Sequence, residues 1–392
     1  MRVWTVLVVS LLATFCAGSA GATAASASNV KVGAVSGVGA IAASSPPSGD
    51  LPVWSRDGKE IAFVAPTRWS YRVELMSGAG AGRRVVVNPP RTEGAAELRW
   101  AGSRHLIVSD SPGGDLRSID VATGKMVELG SSPYGLGVGV LSLGDDDAFA
   151  ASANGRRIAY TRDSPYENAN MTSQGFRVDD FAIGVVSSLG GAGHMLPEPT
   201  DASDAFPSFS PNGGQVVFTR SYLTNGIASA PSLMLQSVKG GQARPLNVQG
   251  DRPVWSPNGR WIAYQQTTYV AEGLVPSKLE IVSPSGGSSH TIWSPNVHVG
   301  LGFSWSPDST RIAFITESGQ MGVATVTGKV TTFSLRGLAP DPGPSVNGFP
   351  GTPPEWSPDG KTLVFAVIVN RRHDETRIYA IGANGRGLHV VG

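Results

Sequence analysis

The sequence predicts an all-β chain, a β-propeller of seven four-stranded blades, on three observations. Gly supplies 50 and Pro 28 of the 392 positions, while charged residues make up only 16%. Such low charge excludes a long coiled coil, and nine Trp, eight Tyr and thirteen Phe exclude a disordered chain. The second observation is a repeat: VWSRDGKEIAFV (53–64), SFSPNGGQVVFT (208–219), VWSPNGRWIAYQ (254–265), SWSPDSTRIAFI (304–315) and EWSPDGKTLVFA (355–366). Weaker copies begin at Arg99 and Ala150, so the aromatic position recurs at 54, 100, 151, 209, 255, 305 and 356, spaced by 46, 51, 58, 46, 50 and 51 residues. The third is that a further strand pattern recurs behind the copies, as in RVELM (72–76), LRSID (116–120) and KLEIVS (278–283), and then a Gly-containing turn and a shorter apolar run.

The chain opens with Arg2, an apolar run VWTVLVVSLLATF and a small-residue stretch, the layout of an export signal cleaved after Ala22 or Ala24. Residues 1–24 are therefore expected to be removed, and the product to be periplasmic or extracellular. The apolar run falls short of the roughly 20 residues a membrane span needs, and no later segment reaches that length, so no transmembrane segment is expected after cleavage. The single cysteine, Cys16, lies inside the signal behind the bulky Phe15, which argues against lipidation. Cleavage leaves no thiol and no disulfide. Residues 25–49 read as a leader and linker, with an alternating stretch at 30–44 able to add a strand that closes the ring.

From residue 50 the repeat explains itself. Pro before the aromatic, as at Pro52, Pro207 and Pro253, favours extended backbone. P-D-G and P-N-G are turn sequences, and the β-branched and aromatic run behind them is a buried strand. Two more strands complete four per unit, and one unit cannot bury both of its faces alone. Trp54, Trp100, Phe209, Trp255, Trp305 and Trp356 are thus expected between blades, as core. Seven blades span 50–392, or six if the weaker second or third copy forms none.

This pattern of x-P-x-W-S-P-D-G-K-x-I-A-F resembles the WD-like repeat of the TolB-type β-propellers, through Trp54, Phe209, Trp255, Trp305 and Trp356 with their turns. The resemblance covers nearly all of the chain behind the signal. It implies the propeller fold, a periplasmic setting and a partner-binding role in an envelope complex. TolB proteins also carry a small α/β domain ahead of the propeller, whereas about 25–30 residues separate the cleavage site from the first repeat here.

Chemistry is poorly supported. Similar propellers precede α/β-hydrolase domains in prolyl-oligopeptidase-like peptidases, but no G-x-S-x-G occurs and the last repeat reaches Gly392. His105, His194, His290, His298, His373 and His389 stand singly, without metal-ligand spacing. Removing Arg2 with the signal leaves 30 basic against 30 acidic residues, which gives no electrostatic pull on nucleic acid.

Binding is expected on the face opposite the short turns, where the loops vary: 161–180, 265–278 and 370–376. Asp163, Tyr166 and Glu167 in the first of these, and His373 in the last, are candidate partner contacts. Asp145, Asp146, Asp147, Asp201, Asp204 and Asp251 precede innermost strands and are candidates for an acidic rim at the channel mouth. The expectation is a monomeric, non-catalytic scaffold for a protein or peptide. The alternatives are a carbohydrate-active lyase or hydrolase, and a small-ligand or Ca²⁺ sensor using Asp145, Asp146 and Asp147. No cofactor is expected, Ca²⁺ being the one ion weighed.

Overall fold

The computed structural model describes residues 50–68, 70–89, 94–111, 116–129, 149–163, 181–224, 227–270, 273–294, 302–316, 320–335, 338, 353–370 and 375–391. The signal, leader and closing-strand expectations for 1–49 lie outside them. The described residues form strands and turns without a helix, so no helix among them is long and apolar enough to cross a membrane.

Seven antiparallel sheets follow one another along the chain. Blade 1 is β1 (Asp50–Trp54), β2 (Glu60–Pro66), β3 (Tyr71–Ser77) and β4 (Arg84–Val87). Blade 2 is β5 (Gly94–Ala101), β6 (His105–Ser111), β7 (Leu116–Asp120) and β8 (Met126–Glu128). Blade 3 is β9 (Phe149–Ala151), β10 (Arg157–Asp163), β11 (Phe181–Ser187) and β12 (His194–Met195). Blade 4 comprises β13 (Ala202–Phe209), β14 (Gln215–Thr224), β16 (Ser232–Ser237) and β17 (Arg244–Gln249), with the short β15 (Ile227–Ala228) paired to the end of β14. Blade 5 is β18 (Asp251–Trp255), β19 (Ile262–Val270), β20 (Gly273–Val282) and β21 (His290–Trp293). Blade 6 is β22 (Phe303–Trp305), β23 (Arg311–Ile315), β24 (Gln320–Thr325) and β25 (Val330–Ser334). Blade 7 is β26 (Glu355–Trp356), β27 (Thr362–Asn370), β28 (Glu375–Gly382) and β29 (His389–Val390). The weak second and third copies both build complete blades, so the ring has seven blades rather than six.

One register runs through all of them. The anchor residue pairs with the first apolar residue of the second strand: Trp54 with Ile61, Trp100 with Leu106, Trp255 with Ile262, Trp305 with Ile312 and Trp356 with Leu363. The turn between them explains this constancy. In blade 5 the buried Ser256 hydroxyl donates to Asn258 Oδ1 at 2.9 Å and accepts from the Trp261 amide at 3.0 Å. Asn258 Oδ1 in turn accepts from the Arg260 amide at 3.0 Å. Gly259 supplies the positive φ of 72° that the turn requires. Equivalent Ser–Asp or Ser–Asn brackets recur at Ser55, Ser152, Ser210, Ser306 and Ser357.

The core is divided into seven apolar layers, one between each pair of neighbouring blades. Trp305, for example, packs with Ala263, Leu279 and Ile281 of blade 5 and with Ile312 and Phe314 of blade 6. The layer between blades 7 and 1 joins Val364, Ile378, Ala380 and Val391 to Ile61, Phe63, Ala65 and Met76, with Trp54 against it. Trp54, Trp100, Phe209, Trp255, Trp305 and Trp356 each pack in one of these layers. Several indoles also clip one blade to the previous one by hydrogen bonding. Trp100 Nε1 donates to Val53 O at 3.2 Å, Trp305 Nε1 to Val254 O at 3.1 Å and Trp356 Nε1 to Ser304 O at 3.1 Å.

Candidate functional site

The first strands of neighbouring blades touch one another around the axis, so they are the innermost strands and line the channel. At the face opposite the Ser-bracketed turns lies the channel mouth, where three of these strands carry the same bulge. Pairing shifts register between Asp50 and Val53, between Ala205 and Ser208, and between Asp251 and Val254. The residue before the Pro of each strand takes positive φ: Leu51 at 53°, Phe206 at 55° and Arg252 at 53°. Non-Gly residues adopt this conformation at a cost, so something must hold them there.

Polar caps do so. Thr161 Oγ1 accepts from the Phe206 amide at 3.1 Å, one blade across. Thr219 Oγ1 accepts from the Arg252 amide at 3.2 Å and donates to Asp251 Oδ1 at 2.9 Å. Asp251 Oδ1 also accepts from the Arg252 amide at 2.8 Å, and Asp50 Oδ1 accepts from the Leu51 amide at 2.8 Å. Burial pushes the Asp50 carboxyl up to about 6, against the opposing pull of the Leu51 amide.

Thus held, Arg252 lies with its guanidinium 4.4 Å from the Phe206 ring centroid, with its Nε 4.0 Å from Asp251 Oδ2. Beside them, Arg220 reaches Asp204 through two hydrogen bonds of 2.6 Å, with both side chains buried. A second polar group lies on the far side of the channel. Arg99 of blade 2 meets Glu97 at 3.0 Å and Glu355 of blade 7 at 2.5 Å. These three sit around a small cavity lined by Leu51, Pro52, Val53, Leu98 and Pro353.

Of the residues expected at the site, Asp145, Asp146, Asp147, Tyr166, Glu167 and His373 lie outside the described residues. Asp163 ends β10, and its side chain is likewise outside them. Asp201 is exposed just before β13. Asp204 and Asp251 do stand at inner strands, but Asp204 is neutralised by Arg220 and Asp251 caps its own bulge. Among the described residues no group of three or more His, Cys, Asp or Glu is placed to hold a metal ion. His194, His290 and His389 stand on the outermost strands β12, β21 and β29, and His105 opens β6. The stretch 265–278, expected as a loop, is instead largely the hairpin of β19 and β20. Its T-T-Y-V and L-V segments have the β-branched and aromatic character of strands. Sequence reasoning missed Glu97, Arg99, Glu355, Phe206, Arg220 and Arg252. The D-x-P ahead of V-W-S at Asp50 and Asp251 was the one available signal, since an Asp cap followed by Pro marks the bulge.

No family model matches the sequence, and no curated protein does. Solved structures do resemble it. An oligogalacturonate lyase from Vibrio parahaemolyticus superimposes with a TM-score of 0.59 at 10% identity, over 86% of this chain and 89% of that one. A puromycin-hydrolyzing peptidase from Mycobacterium tuberculosis gives a TM-score of 0.55 at 12% identity, over 88% of this chain but 53% of that one. What these proteins share with the chain is the propeller. TolB proteins are also among the structural neighbours, including the putative TolB of Agrobacterium tumefaciens, with a TM-score of 0.45 at 16% identity over 77% of this chain and 94% of that one.

Proposed function

We propose that the chain is an exported, non-catalytic propeller that presents its channel-mouth face to a protein or peptide partner. The observation that carries this reading is the asymmetry of the two faces. On one, the Ser-bracketed turns are uniform and lock onto each other, as where Arg311 Nη2 donates to Gly360 O at 2.9 Å and Arg157 Nη1 to Gly213 O at 3.2 Å. On the other, hairpins run past the inner strands. The last pairing of β18 with β19 is Asp251 with Gln265, yet β19 continues to Val270 paired with β20 alone. In blade 4, β14 extends to pair with β15, and in blade 7 β27 reaches Asn370, beyond its pairing with β26 at Val364 and Leu363. Variable projections on a rigid ring are suited to recognition. Export is read from the first 24 residues.

The test is affinity capture from envelope extract with the mature protein and with a variant whose 267–276 segment is replaced by Asn-Gly. A partner held by the wild type and lost by an equally stable variant supports the reading. Equal capture by both moves the site off this hairpin, and no capture at all defeats the scaffold reading.

A further inference from the structure

We infer that the Glu97–Arg99–Glu355 group is the latch of the ring, and that the seam between blades 7 and 1 is where the ring first opens. Among the described residues each blade's strands come from one continuous stretch, so the backbone crosses six of the seven blade boundaries and no described backbone crosses this one. β29 is the outermost strand of blade 7 and β1 the innermost of blade 1. Among the described residues the seam is held by side chains, chiefly the apolar layer of Val364, Ile378 and Ala380 against Ile61, Phe63 and Met76.

One feature sets this boundary apart, the reach of Arg99. It belongs to blade 2, which Trp100 clips to Val53 of blade 1, and its Nη1 extends over Leu51, Pro52 and Val53 to Glu355 of blade 7. Blade 1 is thereby held between its two neighbours. Glu97 takes the Nε of the same guanidinium at 3.0 Å and fixes its direction. The Arg99 and Glu355 side chains are each only 24% exposed, so the pair is less screened than a surface contact. Elements that open first are those held by few interactions, and here, among the described residues, the apolar layer and the Arg99–Glu355 ion pair hold a boundary that no described backbone spans. This inference does not rest on the partner-binding reading.

Hydrogen exchange followed by mass spectrometry on the full chain tests it. Arg99→Ala should speed exchange about tenfold in 50–66 and 362–382 while leaving 149–282 unchanged. The reversed pair, Arg99→Glu with Glu355→Arg, should restore much of that protection. Glu355→Gln, which keeps the side-chain shape, should give a smaller acceleration in the same two segments. Acceleration confined to 94–101, acceleration spread evenly around the ring, no change, or failure of the reversed pair to restore protection would each overturn the latch.

Discussion

Replacing Asp204 by Ala should be among the most damaging single changes at the channel mouth. Asp204 and Arg220 are 3% and 4% exposed, and two hydrogen bonds of 2.6 Å join them in a bidentate pair. With charge centres about 4 Å apart, an effective dielectric of about 20 gives an attraction of roughly 4 kcal/mol. That attraction is largely offset by the cost of burying both ions, so the pair itself adds little net stability. Asp204→Ala removes one side only. The guanidinium then stays buried over the Phe218 ring, 5.4 Å from its centroid, without its carboxylate. We expect a loss of about 3–5 kcal/mol, read as a lowered urea midpoint. The double variant Asp204→Leu with Arg220→Met should recover most of it, because no charge is then left unpaired. A loss under about 1 kcal/mol for Asp204→Ala, or a double variant as unstable as the single, would refute the reasoning.

Three further outcomes are expected. Gly155 and Gly82 have nearly the same φ, 68° and 69°, but a Cβ on Gly155 would sit 2.3 Å from Gly102 N while Gly82 faces open space. Thermal melts should therefore show Gly155→Ala costing about 3 kcal/mol or more and Gly82→Ala only about 1 kcal/mol. Ser256→Ala deletes a fully buried hydroxyl that accepts from the Trp261 amide at 3.0 Å, and should cost about 1–2 kcal/mol by urea titration. For Asp50, the folded carboxyl titrates at about 6 against an ordinary 3.8, so its contribution is complete below about 3.8 and is lost as pH rises through about 6. That difference caps the loss at roughly 3 kcal/mol, and partial contact with solvent reduces it. Stability curves of wild type and Asp50→Asn should thus diverge across pH 4–6, the variant lacking the decline.

The fold was legible because its signal is local and repeated. In the last copy Trp356, Ser357, Asp359 and Gly360 lie within 356–360, and the hydrogen bonds of the Ser bracket are made within 357–362. The site was less legible for the opposite reason. Arg99 and Glu355 stand 256 residues apart and meet only because the ring closes. Thr161 reaches Phe206 across 45 residues, and nothing in the sequence near a lone Thr marks it as a cap for the next blade. Asp204 and Asp251 read as an acidic rim since a sequence shows charges without their partners. Arg220, sixteen positions beyond Asp204 and on the adjacent strand, neutralises it only once β13 and β14 have paired.

At the third position before the anchor aromatic, the ring carries Leu51, Glu97, Phe206, Arg252, Gly302 and Pro353 at successive described blades. These side chains differ in charge, size and polarity, yet the strands behind them keep one register. At Phe206 and Arg252 the backbone shape is set by the following Pro and by a threonine hydroxyl of the preceding blade, not by the side chain that is displayed. At such positions selection can rewrite the chemistry presented around the axis one blade at a time, leaving the ring that displays it intact.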